Sequence, residues 1–425
     1  MPKLPVTSIA IMLCLIVACQ SPPPTERPFP GAEALTKSLD SLKQSSLIPG
    51  FVVAIIDTNG ARYTRGFGYA SLRDSTAFTD STVHGLASVS KTFVGLSVLQ
   101  LVEQGKLALD DPINKYLPFP ILHPKFPDQP IRVRHLVTHT ASLLDDAFVP
   151  YYIGEADIGL VEDDSLYNRL PAYLQPNLAY YRMGKRINLE QYVRNYAQRG
   201  GRWYSDSTFL PIPPGSHFQY ANLGAGIAGL IVEQVSGMSF ASYTQRYIFE
   251  PLGMHQTGWD IRKFKTSQRS RVYAYNDETK PTGVVEHPWY YMTNLAASAL
   301  HSNARDMSLY LAEMIRGYQG HGRLLKPENY QLLFRMQPAV EGFHRSDSAN
   351  FSGQYGVAIN WAVSAAGIRH HAGGNTGVYA MVYFDPKTGT GAVLFCNLRD
   401  PGFGDILETV RRFETAWDTE TRIGK

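Results

Sequence analysis

The sequence predicts an α+β fold: an antiparallel β-sheet flanked by helices, with a mainly helical subdomain inserted at roughly residues 88 to 300. Three observations predict it. Apolar runs of strand length lie near both ends of the chain, around residues 50 to 69 and 355 to 397. Turn-forming residues join neighbouring runs, which favours antiparallel pairing. The long middle carries helix-period apolar runs instead. Strands drawn from both ends imply one sheet closed by the termini.

Taken in order, residues 32 to 46 read as an amphipathic helix. Residues 50 to 57 and 61 to 69 read as strands joined by the turn Thr58-Asn59-Gly60. After Ser88, the apolar residues Phe93, Val94, Leu96, Val98, Leu99, Leu101 and Val102 predict a helix, with Gly105 as its stop. Pro213, Pro214 and Gly215 make a rigid turn leading into a helix from about 223 to 235. Strands follow near 355 to 361, 378 to 384 and 392 to 397, then a helix from about 404 to 417. Residues 144 to 215 are rich in tyrosine, with Tyr151, Tyr152, Tyr167, Tyr173, Tyr180, Tyr181, Tyr192, Tyr196 and Tyr204 alongside Trp203. They either roof a substrate cleft or pack inside the helical subdomain.

Three segments carry candidate chemistry. Ser88-Val89-Ser90-Lys91 places a hydroxyl and an amine on one face of a helix start. Negative charge developing on Ser88 is favoured there, and burial lowers the pKa of Lys91 towards that of a base. The bland alternative is a solvated helix start. Tyr220-Ala221-Asn222 sets a phenol that can relay a proton beside an amide that can hold a carbonyl. Alone, its default reading is a buried tyrosine with a helix-capping asparagine. His371-Ala372-Gly373-Gly374 precedes an apolar strand. Its glycines permit close backbone approach, with N–H groups turned to an oxyanion, and the histidine supplies a donor or a positive charge. The plain alternative is a surface turn.

In this order, these residues resemble the serine beta-lactamase and penicillin-binding-protein superfamily, nearest its branch of class C beta-lactamases, D-alanyl-D-alanine carboxypeptidases, D-aminopeptidases and esterases. Residues 101 to 113, 131 to 140, 247 to 254 and 303 to 307 are also similar to family segments, so the resemblance runs over roughly 35 to 400. It implies a beta-lactamase/transpeptidase-like fold and acyl transfer without a cofactor. Ser88 is then the nucleophile, Lys91 and Tyr220 move its proton, and Asn222 orients the substrate. Gly373 lies in the substrate-binding motif with His371, which binds the acyl or carboxylate side. The N–H groups of Ser88 and Gly374 form the oxyanion hole.

The chain departs from the family pattern in places. A literal Lys387-Thr388-Gly389, the family's frequent third motif, lies between two apolar runs and reads as a hairpin turn, so His371 takes that role. A histidine there argues against an efficient beta-lactamase, because it need not keep a charge at neutral pH. Ala221 stands where serine is common, between the two side chains that face the cleft. Residues 296 to 300 lack glycines the family often carries.

Rival classes are weaker. His135 and His139 have the spacing of a zinc helix motif, but Leu136 replaces its glutamate, and no metal is expected. No Gly-x-Ser-x-Gly occurs, which disfavours an alpha/beta-hydrolase. The expected function is a serine hydrolase acting through an acyl-enzyme on a small ester, amide or D-amino-acid peptide, peptidoglycan-like substrates included. The alternatives are a beta-lactamase and a non-catalytic penicillin-binding sensor.

The first 18 residues read as a signal peptide, and Ile16-Val17-Ala18-Cys19 resembles the bacterial lipobox. Cys19 is then lipidated, and residues 19 to 31 form a stiff Pro-rich spacer before a single hydrolase domain at 32 to 425. This implies a lipid-anchored envelope protein, with the periplasmic side of an outer membrane favoured; the rival is an ordinary secretory signal. The net charge of +3 is spread along the chain, which gives no footing for nucleic acid. Cys396 sits alone in an apolar strand and reads as a buried small hydrophobe.

Overall fold

The two ends of the chain meet in one sheet. In chain order the strands are β1 (Gly50–Asp57), β2 (Gly60–Ser71), β3 (Thr76–Ala77), β4 (His84–Gly85), β5 (Val272–Tyr275), β6 (Val284–His287), β7 (His301–Ser302), β8 (Gly356–Val357), β9 (Ala362–Val363), β10 (Arg369–Asn375), β11 (Val378–Asp385) and β12 (Thr390–Cys396). The principal helices are α1 (Ala32–Ser45), α2 (Lys91–Glu103), α3 (Val133–Val137), α4 (Leu189–Ala197), α5 (Asn222–Ser236), α6 (Leu295–Ser298), α7 (Ala304–Tyr318) and α8 (Phe403–Ile423). They come from a computed structural model that describes residues 31–145, 170–174, 187–338, 340 and 356–423.

Eight strands form an antiparallel sheet in the order β3-β2-β1-β12-β11-β10-β9-β8. The joint between the chain ends is β1 on β12, with Phe51 opposite Cys396 and Asp57 opposite Thr390. Alternation along β1 explains the closure. Val52, Ala54 and Ile56 face the main core. Phe51, Val53 and Ile55 face a second core with Leu35 and Leu39 of α1 and Phe403, Ile406 and Val410 of α8. Both faces are covered, so the strand is apolar almost throughout.

The helices between β4 and β7 pack on the other side. In α2 every residue from Lys91 to Leu101 is buried, and in α5 every residue from Leu223 to Val232. Helices apolar all round belong inside a bundle. α5 packs against α2, α3, α4 and α6. It stops at Gly237, whose left-handed φ of 69° lets its N–H reach the Glu233 carbonyl.

Three local expectations change. Ser88 does not open an α-helix; it lies in a 3-10 turn, Ala87–Ser90, that precedes α2. Ala87 takes a left-handed φ of 45°, and Ser90 Oγ donates to the Ala87 carbonyl at 2.6 Å, which competes with regular helical bonding there. The expected strand at 355 to 361 is two short strands, β8 and β9, around a tight turn. Asn360 turns the chain with φ of 52°, as asparagine tolerates, and Ala358 N–H bonds Trp361 O at 2.7 Å. The last helix runs on to Ile423 rather than ending near 417.

Candidate active site

Lys91 organises the site. It opens α2 with no exposed surface, in a helix whose other residues as far as Leu101 are all buried. Its Nζ donates to Ser88 Oγ at 3.0 Å, Asn222 Oδ1 at 2.6 Å and Ala297 O at 2.9 Å. Burial pushes its pKa down to about 7, partly opposed by the Asp145 carboxylate. As an ammonium it satisfies three acceptors. As a free amine it offers a lone pair to which the Ser88 hydroxyl can donate.

Tyr220 and Asn222 enter at the start of α5. Tyr220 interacts with Ser88, and Lys91 Nζ lies 4.9 Å from its ring centroid. Burial raises its phenol pKa, so the hydroxyl stays protonated. Asn222 is oriented from behind: its Nδ2 donates to Asp145 Oδ2 at 2.8 Å, which turns Oδ1 to Lys91. Asp145 also accepts from the N–H groups of Asn222 at 2.8 Å and Leu223 at 3.1 Å, so it caps the open end of α5.

β10 forms the facing wall. It pairs with β9 only at Arg369 and His370, and among the described residues no other strand takes up that edge from His371 to Asn375. Alternation turns His371 and Gly373 towards Ser88 and Lys91, and His370 towards Arg411 of α8. Gly373 must be glycine: a Cβ there would meet Leu86 O at 2.2 Å and Ser88 N at 3.0 Å. Gly374 is exposed beside it. His371 Nδ1 bonds the Ala372 carbonyl at 2.7 Å, so Nδ1 carries the proton and Nε2 is left as an acceptor. Burial, with Lys91 adding to it, lowers its pKa to about 3, so the ring is neutral rather than positively charged.

Lys387 lies elsewhere. It is exposed in the β11–β12 hairpin, where its N–H bonds Asp385 Oδ1 at 2.8 Å. That turn packs on the end of α7, with Gly389 against Gln319 and Ile315.

Four partners of the site carried no assigned role in the sequence. Asp145 and the Ala297 carbonyl are two, and the latter shows that residues 296 to 300 serve through their backbone. Asn294 Nδ2 donates to Asn222 O at 2.7 Å. The His139 ring stacks on Tyr220 at 4.5 Å. For His139 the signal was present as a segment similar to the family's, without chemistry attached; Ala297 lay in a segment that departs from the family pattern.

Other expectations resolve in part. His135 and His139 point to different partners, the Arg132 N–H and the Ala221 N–H. Among the described residues, no group of three or more His, Cys, Asp or Glu could hold a metal ion. Cys396 is a buried free thiol. Tyr192 and Tyr196 are fully buried in the main core. Tyr173 donates to Tyr275 O at 2.9 Å. Tyr151, Tyr152, Tyr167, Tyr180, Tyr181 and the expected lipidation site Cys19 lie outside the described residues.

The beta-lactamase family model matches residues 35–416. Penicillin-binding protein 4* of Bacillus subtilis is 27% identical over 219 residues, 50% of this chain and 38% of its own length. Protein flp of Staphylococcus aureus is 20% identical over 368 residues, 86% of this chain and 63% of its own. The chain thus spans less than two thirds of either relative. Among solved structures, D-amino acid amidase from Ochrobactrum anthropi SV3 aligns with a TM-score of 0.66 at 19% identity, covering 92% of this chain and 99% of that one. EstCE1, a hydrolase with promiscuous acyltransferase activity, aligns with a TM-score of 0.65 at 21% identity, covering 90% and 99%. At such identities these likenesses show the fold. The family model follows the chain from its first core helix into its last, and the protein belongs to the beta-lactamase family.

Proposed function

We propose that the protein is a serine hydrolase that works through an acyl-enzyme. The observation that carries this reading is the buried Lys91 amine, 3.0 Å from Ser88 Oγ, with a pKa of about 7. Lys91 as free amine takes the Ser88 proton while Oγ bonds the substrate carbonyl carbon. The oxyanion is received by the N–H groups of Ser88 and Gly374. Tyr220 is protonated and passes its proton to the leaving group, and Lys91 restores it. The carbon–leaving-group bond breaks, and water then cleaves the Ser88 ester by the reverse path. His371 Nε2 accepts a hydrogen bond from the substrate, an amide N–H for instance.

The substrate class we propose is a small ester, amide or D-amino-acid peptide. Neutral His371 supports this over a beta-lactam, since it offers no cation to the site. The peptide reading has one specific support. Arg399 is exposed, makes no ion pair among the described residues, and lies with Nε 3.6 Å from where a Gly374 Cβ would be. It can receive a substrate carboxylate.

Ser88→Ala tests the mechanism. It removes covalent labelling by a fluorophosphonate or a penicillin, read by intact mass, along with turnover. An adduct that survives in Ser88→Ala refutes the nucleophile. A wild type that never forms an adduct refutes the enzyme and favours a non-catalytic binding protein.

A further inference from the structure

We propose that His139 is the positioning residue for Tyr220: its ring holds the phenol where it can deliver a proton to the leaving group. This rests on the serine-hydrolase reading above. His139 follows α3 in a loop that the fold holds in a strained form. His139 and Ser142 both take left-handed φ, at 57° and 56°, without being glycine. Backbone bonds fix the loop against the segment that carries Tyr220. Gly215 N–H bonds Thr140 O at 2.7 Å, and Gln219 N–H bonds His139 O at 2.8 Å. The Ala221 N–H donates to His139 Nδ1 at 3.3 Å. The residues on either side of Tyr220 are therefore both tied to His139. The imidazole lies on the phenol itself, with ring centroids 4.5 Å apart and planes 30° apart.

The same geometry removes the other roles His139 might be given. Nδ1 is engaged as an acceptor, so the neutral ring carries its proton on Nε2 and has no free lone pair for a base. The residue is 6% exposed, and burial disfavours a charge on the ring, with smaller contributions in the same direction from Lys91 and His371. What remains is contact: a flat, neutral surface against the ring that carries the proton donor. A displaced Tyr220 matters most when the leaving group needs a proton. An amine leaving group cannot depart without one, whereas p-nitrophenolate can.

The experiment separates ring from backbone anchor with two substrates that share one acyl group, p-nitrophenyl butyrate and butyryl p-nitroanilide. His139→Phe keeps a stacking ring and loses the Nδ1 acceptor. His139→Asn keeps a short acceptor, suits the left-handed backbone, and loses the ring. The expected result is that His139→Asn lowers kcat on the anilide by about a hundredfold, with a much smaller loss on the ester and little change in KM. His139→Phe retains most of both rates. Equal losses on the two substrates in His139→Asn, or a Phe variant as damaged as the Asn variant, overturn the proposal. Crystal structures of both variants read the ring directly. Tyr220 displaced in His139→Asn and unmoved in His139→Phe supports the assignment, and Tyr220 unmoved in His139→Asn refutes it. That reading holds even if the wild type hydrolyses neither substrate, an outcome that counts against the hydrolase and not against the positioning.

Discussion

A lysine with no exposed surface and a pKa of about 7 gives the reaction an acid limb. The free amine is the competent form, so kcat/KM rises as pH climbs through about 7 and levels above it. Stability follows the same proton. The unfolded lysine holds it up to about 10.5, so the folded state binds fewer protons between about 7 and 10.5 and gains stability as pH rises across that window. A pH–rate profile checks the first claim, and a flat rate between about pH 5 and 8 contradicts it. His371 and Lys387 make a second test at this scale. Lys387 is solvated in a turn on α7, so Lys387→Ala leaves activity nearly unchanged. His371→Ala costs about 1–3 kcal/mol, because a buried substrate N–H loses its acceptor. The reverse order of losses defeats the placement. Ser88, Lys91, Tyr220, Asn222 and His371 were legible because their short motifs, each weak alone, stand in an order that resembles the family's, and the fold brings them together. Asp145 and His139 were not, because each acts on a residue about 80 positions away.

Among the elements, α5 links stability to chemistry. Its first two N–H groups have no partner in their own helix, and Asp145 supplies one from a distant loop. Asp145→Ala therefore destabilises the fold by about 1–2 kcal/mol, measured by urea unfolding. It also frees the Asn222 amide to rotate and removes the charge that raises the Lys91 pKa. The acid limb of the rate then moves to lower pH while kcat falls. A variant that loses stability with an unmoved pH profile shows a cap without an electrostatic role. Elements with strong local patterns were read nearly to the residue: α1 from its apolar face, β1 from its continuous apolar run, α5 from the turn before it and its apolar length. The turn holding Ser88 and the β8–β9 pair were misread for one shared reason. Each contains a non-glycine residue in a left-handed conformation, Ala87 and Asn360, and in each the backbone also bonds a distant residue that no local pattern encodes, Leu86 N–H to Leu300 O and Asn360 N–H to Val137 O.

At the scale of the molecule, sheet closure by the two termini was legible because β1 and β12 are apolar on both faces and each needs a covering layer. The substrate was not, because specificity lies in what surrounds the catalytic groups. The chain places a β10 edge that is unpaired among the described residues, a neutral His371 and an exposed Arg399 around one serine. An extended substrate laid along that edge meets an acceptor at His371 and a cation at Arg399, which suits an amide N–H and a carboxylate. A small ester needs neither, and its leaving group needs less protonation. The comparison is kcat/KM for p-nitrophenyl butyrate, a D-Ala-D-Ala peptide and nitrocefin on one preparation. Turnover of the ester or the peptide exceeds that of nitrocefin, and Arg399→Gln raises KM for the peptide while sparing the ester. If nitrocefin wins by more than about a hundredfold, roughly 2.7 kcal/mol of transition-state preference, the protein is a beta-lactamase. The argument from the neutral histidine then fails with the substrate assignment, while the Ser88–Lys91–Tyr220 mechanism stands.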